Sequence, residues 1–542
     1  MHLSPVYPYV TPRELSSAGV ARTQVAIVGA GPVGLACAID LAQHGIDFII
    51  IDDNNTVSSG SRAICWAKRT LEIFDRLGFG DEVCERGVSW KVGKVFFRDA
   101  LAYQFDLLPE RGHKRPAFVN LQQYLLEEIM VERLKALGST VRWKNKAIRL
   151  LQRPDGVRLE VETPDGRYGI EADYVIAADG AHSAVRDILG LTWKGQVFRD
   201  RFLIADVSMR GDFPAERWFW FDPPFHSGGS ALLHKQADDI WRIDLQLGWD
   251  ADPEEEKKSE RVIPRIRAML GADRAFELEW VSVYTFQCAR LDRFVHDRVI
   301  FAGDAAHQVS PFGARGGNSG VQDADNLCWK LARVVRGESP VSLLQTYNDE
   351  RVEAADENIL NSSRSTDFIT PKSYASRRMR DAVLALSQQH PFARRLVNSG
   401  RLSTPTAHCV NGLSTPDRDP FSCAIKPGAP AVDGPLLASS RVLSLLDQLG
   451  GRFDLLVFDG TERMTDAFKT EFGNQLRVAR IASEPGSTTA VFADSDKLVT
   501  RRYDAQEGTS YLLRPDQHIA ARWRQPSVAD VRSALRCAQG IG

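Results

Sequence analysis

A chain of 542 residues has room for about three to four domains of ordinary size. Its composition, 43% hydrophobic and 25% charged, is that of a globular protein rather than a disordered or fibrous one. A net charge of -2 excludes a broad basic surface for nucleic acid or acidic lipid, and no run approaches the ~18 consecutive apolar residues of a membrane helix.

The first segment, MHLSPVYPYVTPRELSSAGV, places prolines where a secretion signal has its apolar core. It reads as a flexible extension over residues 1–22, on a chain expected to be cytoplasmic. The 8 cysteines contain no C-x-x-C and are expected to be reduced thiols.

QVAIVGAGPVGLACAIDLAQHGIDFIIIDDN then reads as strand, turn, helix, strand. Gly29 permits the tight turn, Gly31 lets backbone approach a pyrophosphate, and Gly34 lets helix and strand pack closely. The helix start offers unpaired N–H groups to phosphate, and Asp52, at the end of the second strand, can accept from ribose hydroxyls. This motif alone does not separate NAD from FAD.

Two later strands decide between them. YVIAADGAHSAVR ends a strand in Asp179-Gly180, and DRVIFAGDAAH ends another in Gly303-Asp304. A ribityl chain carries hydroxyls between pyrophosphate and flavin, and Asp304 is placed to accept from one. The glycine-rich loop that follows contains Pro311, Gly316, Gly317 and Asn318, where bare backbone can approach a flavin ring. Two distant glycine loops therefore point to one long cofactor, FAD. His307 is expected to be a structural histidine, and Asp323 and Asp325 to serve the following helix; no cluster has metal-ligand spacing.

These three motifs, in this order, resemble the single-component (group A) FAD-dependent aromatic hydroxylases, which include para-hydroxybenzoate hydroxylase and phenol hydroxylase-type monooxygenases. The resemblance covers roughly residues 24–361. It implies that Arg62 contacts the cofactor, that Gln123 rather than Gln122 is the glutamine near the ribityl region, and that Asp179 ties the pyrophosphate region to the nicotinamide path. Ala314-Arg315 stands where many members carry Gly-Gln. It also implies the reaction: NADH or NADPH reduces FAD, O2 forms a C4a-hydroperoxyflavin, and a phenolic ring is hydroxylated.

The expected fold is α/β: a Rossmann-like FAD-binding domain (residues 23–195 and 287–400, the latter including packing helices) with an inserted β-sheet substrate domain (196–286). A linker (401–436) leads to a thioredoxin-like domain (437–542). In FELEWVSVYTF, period-two spacing puts Leu278, Trp280, Ser282, Tyr284 and Phe286 on one face. Tyr284, with its phenolic hydroxyl, is the candidate catalytic residue. The C-terminal domain lacks a cysteine pair, so a packing or homodimer role is expected. RWFWFDPP lacks the I-P of the flavin halogenase motif W-x-W-x-I-P. The remaining alternatives are an FAD-dependent dehydrogenase or reductase that does not use O2 and a non-catalytic flavoprotein binding module.

Overall fold

The computed structural model describes residues 4–541 except 18, 59, 61, 211–212, 398–402, 409–411, 439–440 and 483–491. The central element is a mostly parallel sheet. Val299–Phe301, Gly166–Ala177, Val20–Val28, Phe48–Asp52 and Arg142–Trp143 lie side by side in that order, each parallel to its neighbour. These strands are near-continuous apolar runs, as a sheet covered on both faces requires: Val25, Ile27, Val175, Ile176, Val299 and Ile300 are fully buried. The helices Pro32–Gln43, Gln123–Ala136 and Gly316–Val335 pack into the same core.

Residues 4–17 do not form a loose extension. Tyr7 stacks on Trp143 with ring centroids 4.7 Å apart and its N–H donates to Asn55 O, so the segment is pinned to the sheet edge.

The second sheet has eight strands: His307–Gln308, Glu277–Arg290, Lys194–Ser208, Ile240–Leu247, Ser230–Lys235, Arg217–Phe221, Val92–Phe97 and Ala100–Asp106. Two strands thus come from residues 92–106, well upstream of the segment expected to supply it. The face expected from FELEWVSVYTF is four residues long, not five. An irregularity at Glu279 pairs Trp280 with Asp206 but Leu278 with Val207. The extra residue flips Leu278 to the opposite face, where it packs with Val281 and Val283.

The third sheet builds the C-terminal domain. Asp454–Phe458 lies parallel to Arg477–Ala482 and antiparallel to Ser510–Leu513, which pairs with Ile519–Trp523 as an antiparallel hairpin. This domain shares its core with the parallel sheet and its helices: Phe453 meets Trp329 at 5.8 Å, edge to face. Ser403 N donates to Gly313 O and Thr406 Oγ1 to Glu357, while residues 412–436 are held against the third sheet, for example by Arg522 donating to Asp417.

The junction is cemented by charges with no solvent access. Arg514 Nη1 donates to Glu350 Oε1 at 2.5 Å and Arg514 Nε to Asp516 Oδ1 at 3.0 Å, while Lys330 Nζ donates to Glu350 Oε2 at 2.8 Å. All four side chains are fully or almost fully buried. Burial brings Lys330 down to about 8 despite the opposing pull of Glu350. Removing one member strands its partners in low dielectric, so Arg514→Met is expected to destabilise the protein by about 3–5 kcal/mol. Thermal unfolding reads this directly; a change under about 1 kcal/mol would show the network to be dispensable.

Candidate active site

The acids singled out from the sequence all sit at the carboxyl ends of adjacent parallel strands. Asp52 closes Phe48–Asp52, Gly29 follows Val20–Val28, Asp179 follows Gly166–Ala177 and Asp304 follows Val299–Phe301. This is the edge where open α/β sheets bind ligands.

The first loop has the geometry its glycines promise. Gly29 has φ +102°, and a Cβ there would sit 2.5 Å from Ala178 O; one on Gly34 would sit 1.9 Å from Gly29 O. Gly31 is different: a Cβ would meet nothing closer than Glu127 Oε1 at 4.0 Å, so it borders open space. Beside it begins Pro32–Gln43, with no side chain capping its first N–H groups. An unfilled cradle beside an uncapped helix start fits a pyrophosphate.

Asp52 Oδ2 accepts from Ala30 N at 2.7 Å and Oδ1 from Asn54 N at 2.8 Å, so it braces the turn and keeps lone pairs for a further donor. Burial raises its pKa. Asp179 Oδ2 caps the short helix Ala184–Ile188 by accepting from Val185 N at 3.0 Å, and burial raises this carboxyl too.

The two neighbouring glutamines have different partners. Gln122 is buried and donates to Ala237 O, tying the start of Gln123–Ala136 to the second sheet. Gln123 accepts from Ala63 N and donates to Ser58 Oγ, clamping the loop that carries Arg62. Glu127, one turn on, was not singled out from the sequence. Its carboxylate accepts from Ser58 N, Ser58 Oγ and Gln123 Nε2 beside Gly31. The available signal was an acid on the buried face of that helix, four residues after Gln123.

The second loop is held from beneath. Fully buried Asp323 accepts from Gly303 N at 2.9 Å, His307 Nε2 at 2.6 Å and Arg351 Nε at 2.6 Å. His307 is therefore structural, and no group of residues able to hold a metal exists among the described residues. Asp325 instead pairs with Arg69 and Arg76. Gly303 is left-handed at φ +63°, and Cβ atoms on Gly303 and Gly320 would both strike Val33, at 2.8 and 2.6 Å. The two glycine loops thus meet directly at Val33.

Asp304 itself is open to the cleft but enclosed by protein. Burial raises its pKa, opposed by His307 and Arg62. A Cβ on Gly316 would lie 4.0 Å from Asp304 Oδ1. Gly316–Val335 begins there without a side-chain cap, which leaves its first amides available to a ligand. The Asn318 side chain is committed to protein: it accepts from Ala67 N and donates to Cys65 O. Pro311 is exposed, and the adjacent Phe312 packs edge-on against Phe202 of the second sheet at 4.7 Å.

Tyr284 reaches this cleft from the second sheet. It stacks on Phe286 at 6.2 Å. Its hydroxyl is pushed up to about 12, first by burial and then by the nearby charge of Asp304, with Arg62 opposing. Residues 62, 284 and 304 therefore share one electrostatic neighbourhood.

The cradle at Gly31, the uncapped helix starts and the enclosed Asp304 all fit FAD. The chain belongs to the FAD binding domain family, whose model matches residues 22–362. It is an FAD-dependent enzyme of the monooxygenase class. It is 27% identical to a 6-methylpretetramide 4-monooxygenase of Streptomyces rimosus, over 95% of this chain and 93% of that protein. It is 28% identical to a probable NADH-specific resorcinol 4-hydroxylase of Rhodococcus jostii (strain RHA1), over 93% and 92%. The fold matches that of the flavin-dependent monooxygenase PieE, solved with FAD and substrate, with a TM-score of 0.81 at 23% identity, covering 96% of this chain and 99% of that one.

Asp304→Ala removes a charged acceptor that a ribityl hydroxyl would use, worth about 1.5–3 kcal/mol. FAD titration of the apoprotein should show affinity reduced about 10- to 150-fold. Unchanged affinity would remove Asp304 from the cofactor site.

Proposed function

We propose that this chain is an NAD(P)H- and O2-dependent FAD monooxygenase that hydroxylates a phenolic aromatic compound. The observation that carries the reading is the convergence of the Asp304 loop, the Arg62 loop and Tyr284 on one cleft roofed by an aromatic sheet face. The full-length relatives named above, a monooxygenase and a hydroxylase, favour oxygen use over a dehydrogenase that does not use O2. Bound FAD would supply the redox chemistry, taking reducing equivalents from a nicotinamide and activating oxygen.

The protein's share is placement and polarity. Gly31 and the start of Pro32–Gln43 would hold the pyrophosphate, Asp52 the ribose and Asp304 the ribityl chain. The amides of Gly317 and Asn318, at a helix N-terminus, would stabilise negative charge on the flavin's pyrimidine edge. Phe202, Phe286 and Phe312 would exclude water from the reacting ring.

Tyr284 has too high a pKa to serve as a base near neutrality. Its role in this reading is to keep its proton and hydrogen-bond the substrate's oxygen, fixing which ring carbon faces the flavin. Cytoplasmic location belongs to the same reading, supported by the use of a nicotinamide co-substrate; no described helix is long and apolar enough to cross a membrane.

Two measurements test the proposal. Resorcinol and related phenols should stimulate NAD(P)H oxidation together with O2 uptake; nicotinamide oxidation without O2 uptake would support the dehydrogenase instead. Tyr284→Phe should weaken substrate binding by about 0.5–1.5 kcal/mol, roughly 2- to 12-fold. It should also lower the product formed per NAD(P)H, the balance of oxygen leaving as hydrogen peroxide. If neither affinity nor that ratio moves, Tyr284 is a packing residue.

A further inference from the structure

The face of the second sheet turned toward the FAD-binding domain is bracketed by two contacts. At one end Phe312, from the second glycine loop, packs on Phe202. At the other, Cys65 Sγ lies 3.8 Å from His234 Nδ1, and the Cys65 carbonyl accepts from Asn318 at the start of the flavin-facing helix. The pairing register lays out what lies between. One row runs Trp280, Asp206, Arg242, His234, Arg217 across five strands, and the next runs Ser282, Ile204, Asp244, Leu232, Phe219. Residues directly opposite in antiparallel pairs share a face, so both rows look toward the cofactor side, as Tyr284 does in the row beyond.

Part of this polar surface is self-satisfied. Arg242 forms a two-pronged pair with Asp206, both contacts 2.8 Å. Three neighbours are not. Arg217 is only 8% exposed and, among the described residues, its side chain makes no hydrogen bond or ion pair. Asp244 Oδ1 and His234 Nε2 are both buried without a hydrogen-bond partner. Arg217 is close enough to depress the pKa of Asp244 and of His234, yet forms no ion pair with Asp244. An unpaired buried guanidinium and an unpaired buried carboxyl oxygen are each costly. Here they share one sheet face without relieving each other, so a group that pairs with both would offset the cost of each. Burial pushes Asp244 up to about 6, so it is a strong acceptor near neutrality, and burial keeps His234 neutral.

We propose that Arg217 and Asp244 form the polar anchor of the substrate site. The substrate is then an aromatic compound carrying an anionic oxygen for Arg217 and, on the neighbouring carbon, a hydroxyl that donates to Asp244 Oδ1, with His234 Nε2 as a third hydrogen-bonding partner. The guanidinium fork suits a planar carboxylate or enolate oxygen pair. This deepens the monooxygenase reading and rests on it: the anchor holds one end of the substrate while Tyr284 and the phenylalanine cluster hold the ring to be hydroxylated.

The test uses the FAD-loaded enzyme and two matched pairs, phenol with salicylate and 2-naphthol with 3-hydroxy-2-naphthoate, followed by calorimetric titration without turnover. The hydroxy acid of at least one pair should bind at least about tenfold more tightly than its uncharged partner, as a charge-assisted bond requires. Arg217→Gln should bring that preference close to unity with FAD content unchanged. Arg217→Lys, which keeps the charge and loses the fork, should retain a smaller preference, and it stands in if the Gln variant does not fold. Asp244→Asn should weaken salicylate more than benzoate, which lacks the hydroxyl. No preference in the wild type, the result if water alone satisfies these groups, overturns the proposal, as does a preference that survives Arg217→Gln. Failure of the monooxygenase reading itself would look different: given NADH or NADPH, the same samples would take up no O2 on addition of either hydroxy acid, whatever their binding preference.

Discussion

The cofactor site depends on one buried carboxylate. Asp323 has no solvent access, and burial alone would raise its pKa, but His307 and Arg351 outweigh that and keep it below the usual carboxylate range. With its third bond, from Gly303 N, it fixes a left-handed backbone that only glycine adopts without strain. That fixed turn sets the direction of Asp304 and seats Gly303 against Val33 of the first loop. A buried ion that is fully hydrogen-bonded is a poor source of net stability but a good way to specify a geometry. Here the geometry is the distance between two glycine loops that must grip opposite ends of one cofactor.

The parallel sheet supplies the rest of the site by alignment. Its strands end together, so residues separated by 252 positions, Asp52 and Asp304, emerge on one edge. The second sheet is then bolted across that edge by Asn120 and Gln122 donating to Lys235 O and Ala237 O. This fixes the aromatic face and its polar rows relative to the loops. The C-terminal domain contributes no thiol pair: the seven described cysteines are free, and Cys409 lies outside the described residues. Its contribution is the sealed charge cluster around Arg514, which holds the long helix Leu343–Ile369 through Glu350. The same helix carries Arg351, so the junction and the Asp323 anchor share one element.

What was legible in the sequence was what local backbone demands. Gly29 and Gly34 announce a turn because a Cβ on either would strike backbone, Gly31 marks the space beside it, and Asp52, Asp179 and Asp304 stand out as acids closing apolar strands. Gln123 could be preferred over Gln122 because it matched a spacing. The missed features are relations between distant segments. Nothing near Glu279 signals the bulge that turns Leu278 away, since the bulge exists only against Asp206 and Val207. Strands 92–106 carry no mark of the sheet they join, and residues 4–17 read as loose because Trp143, the partner of Tyr7, lies far along the chain. Arg217, Asp244 and His234 look like ordinary strand residues until the register sets them on one face.

The most direct test of this account is a double-mutant cycle on FAD affinity with Asp323→Asn and Asp304→Ala, each variant checked for retained secondary structure. If Asp323 acts by holding the Asp304 loop, Asp323→Asn alone lowers FAD affinity at least about tenfold, and the double variant loses little more than Asp304→Ala alone, because the two changes break one interaction. Independent, additive losses, or full FAD affinity in Asp323→Asn, would contradict it.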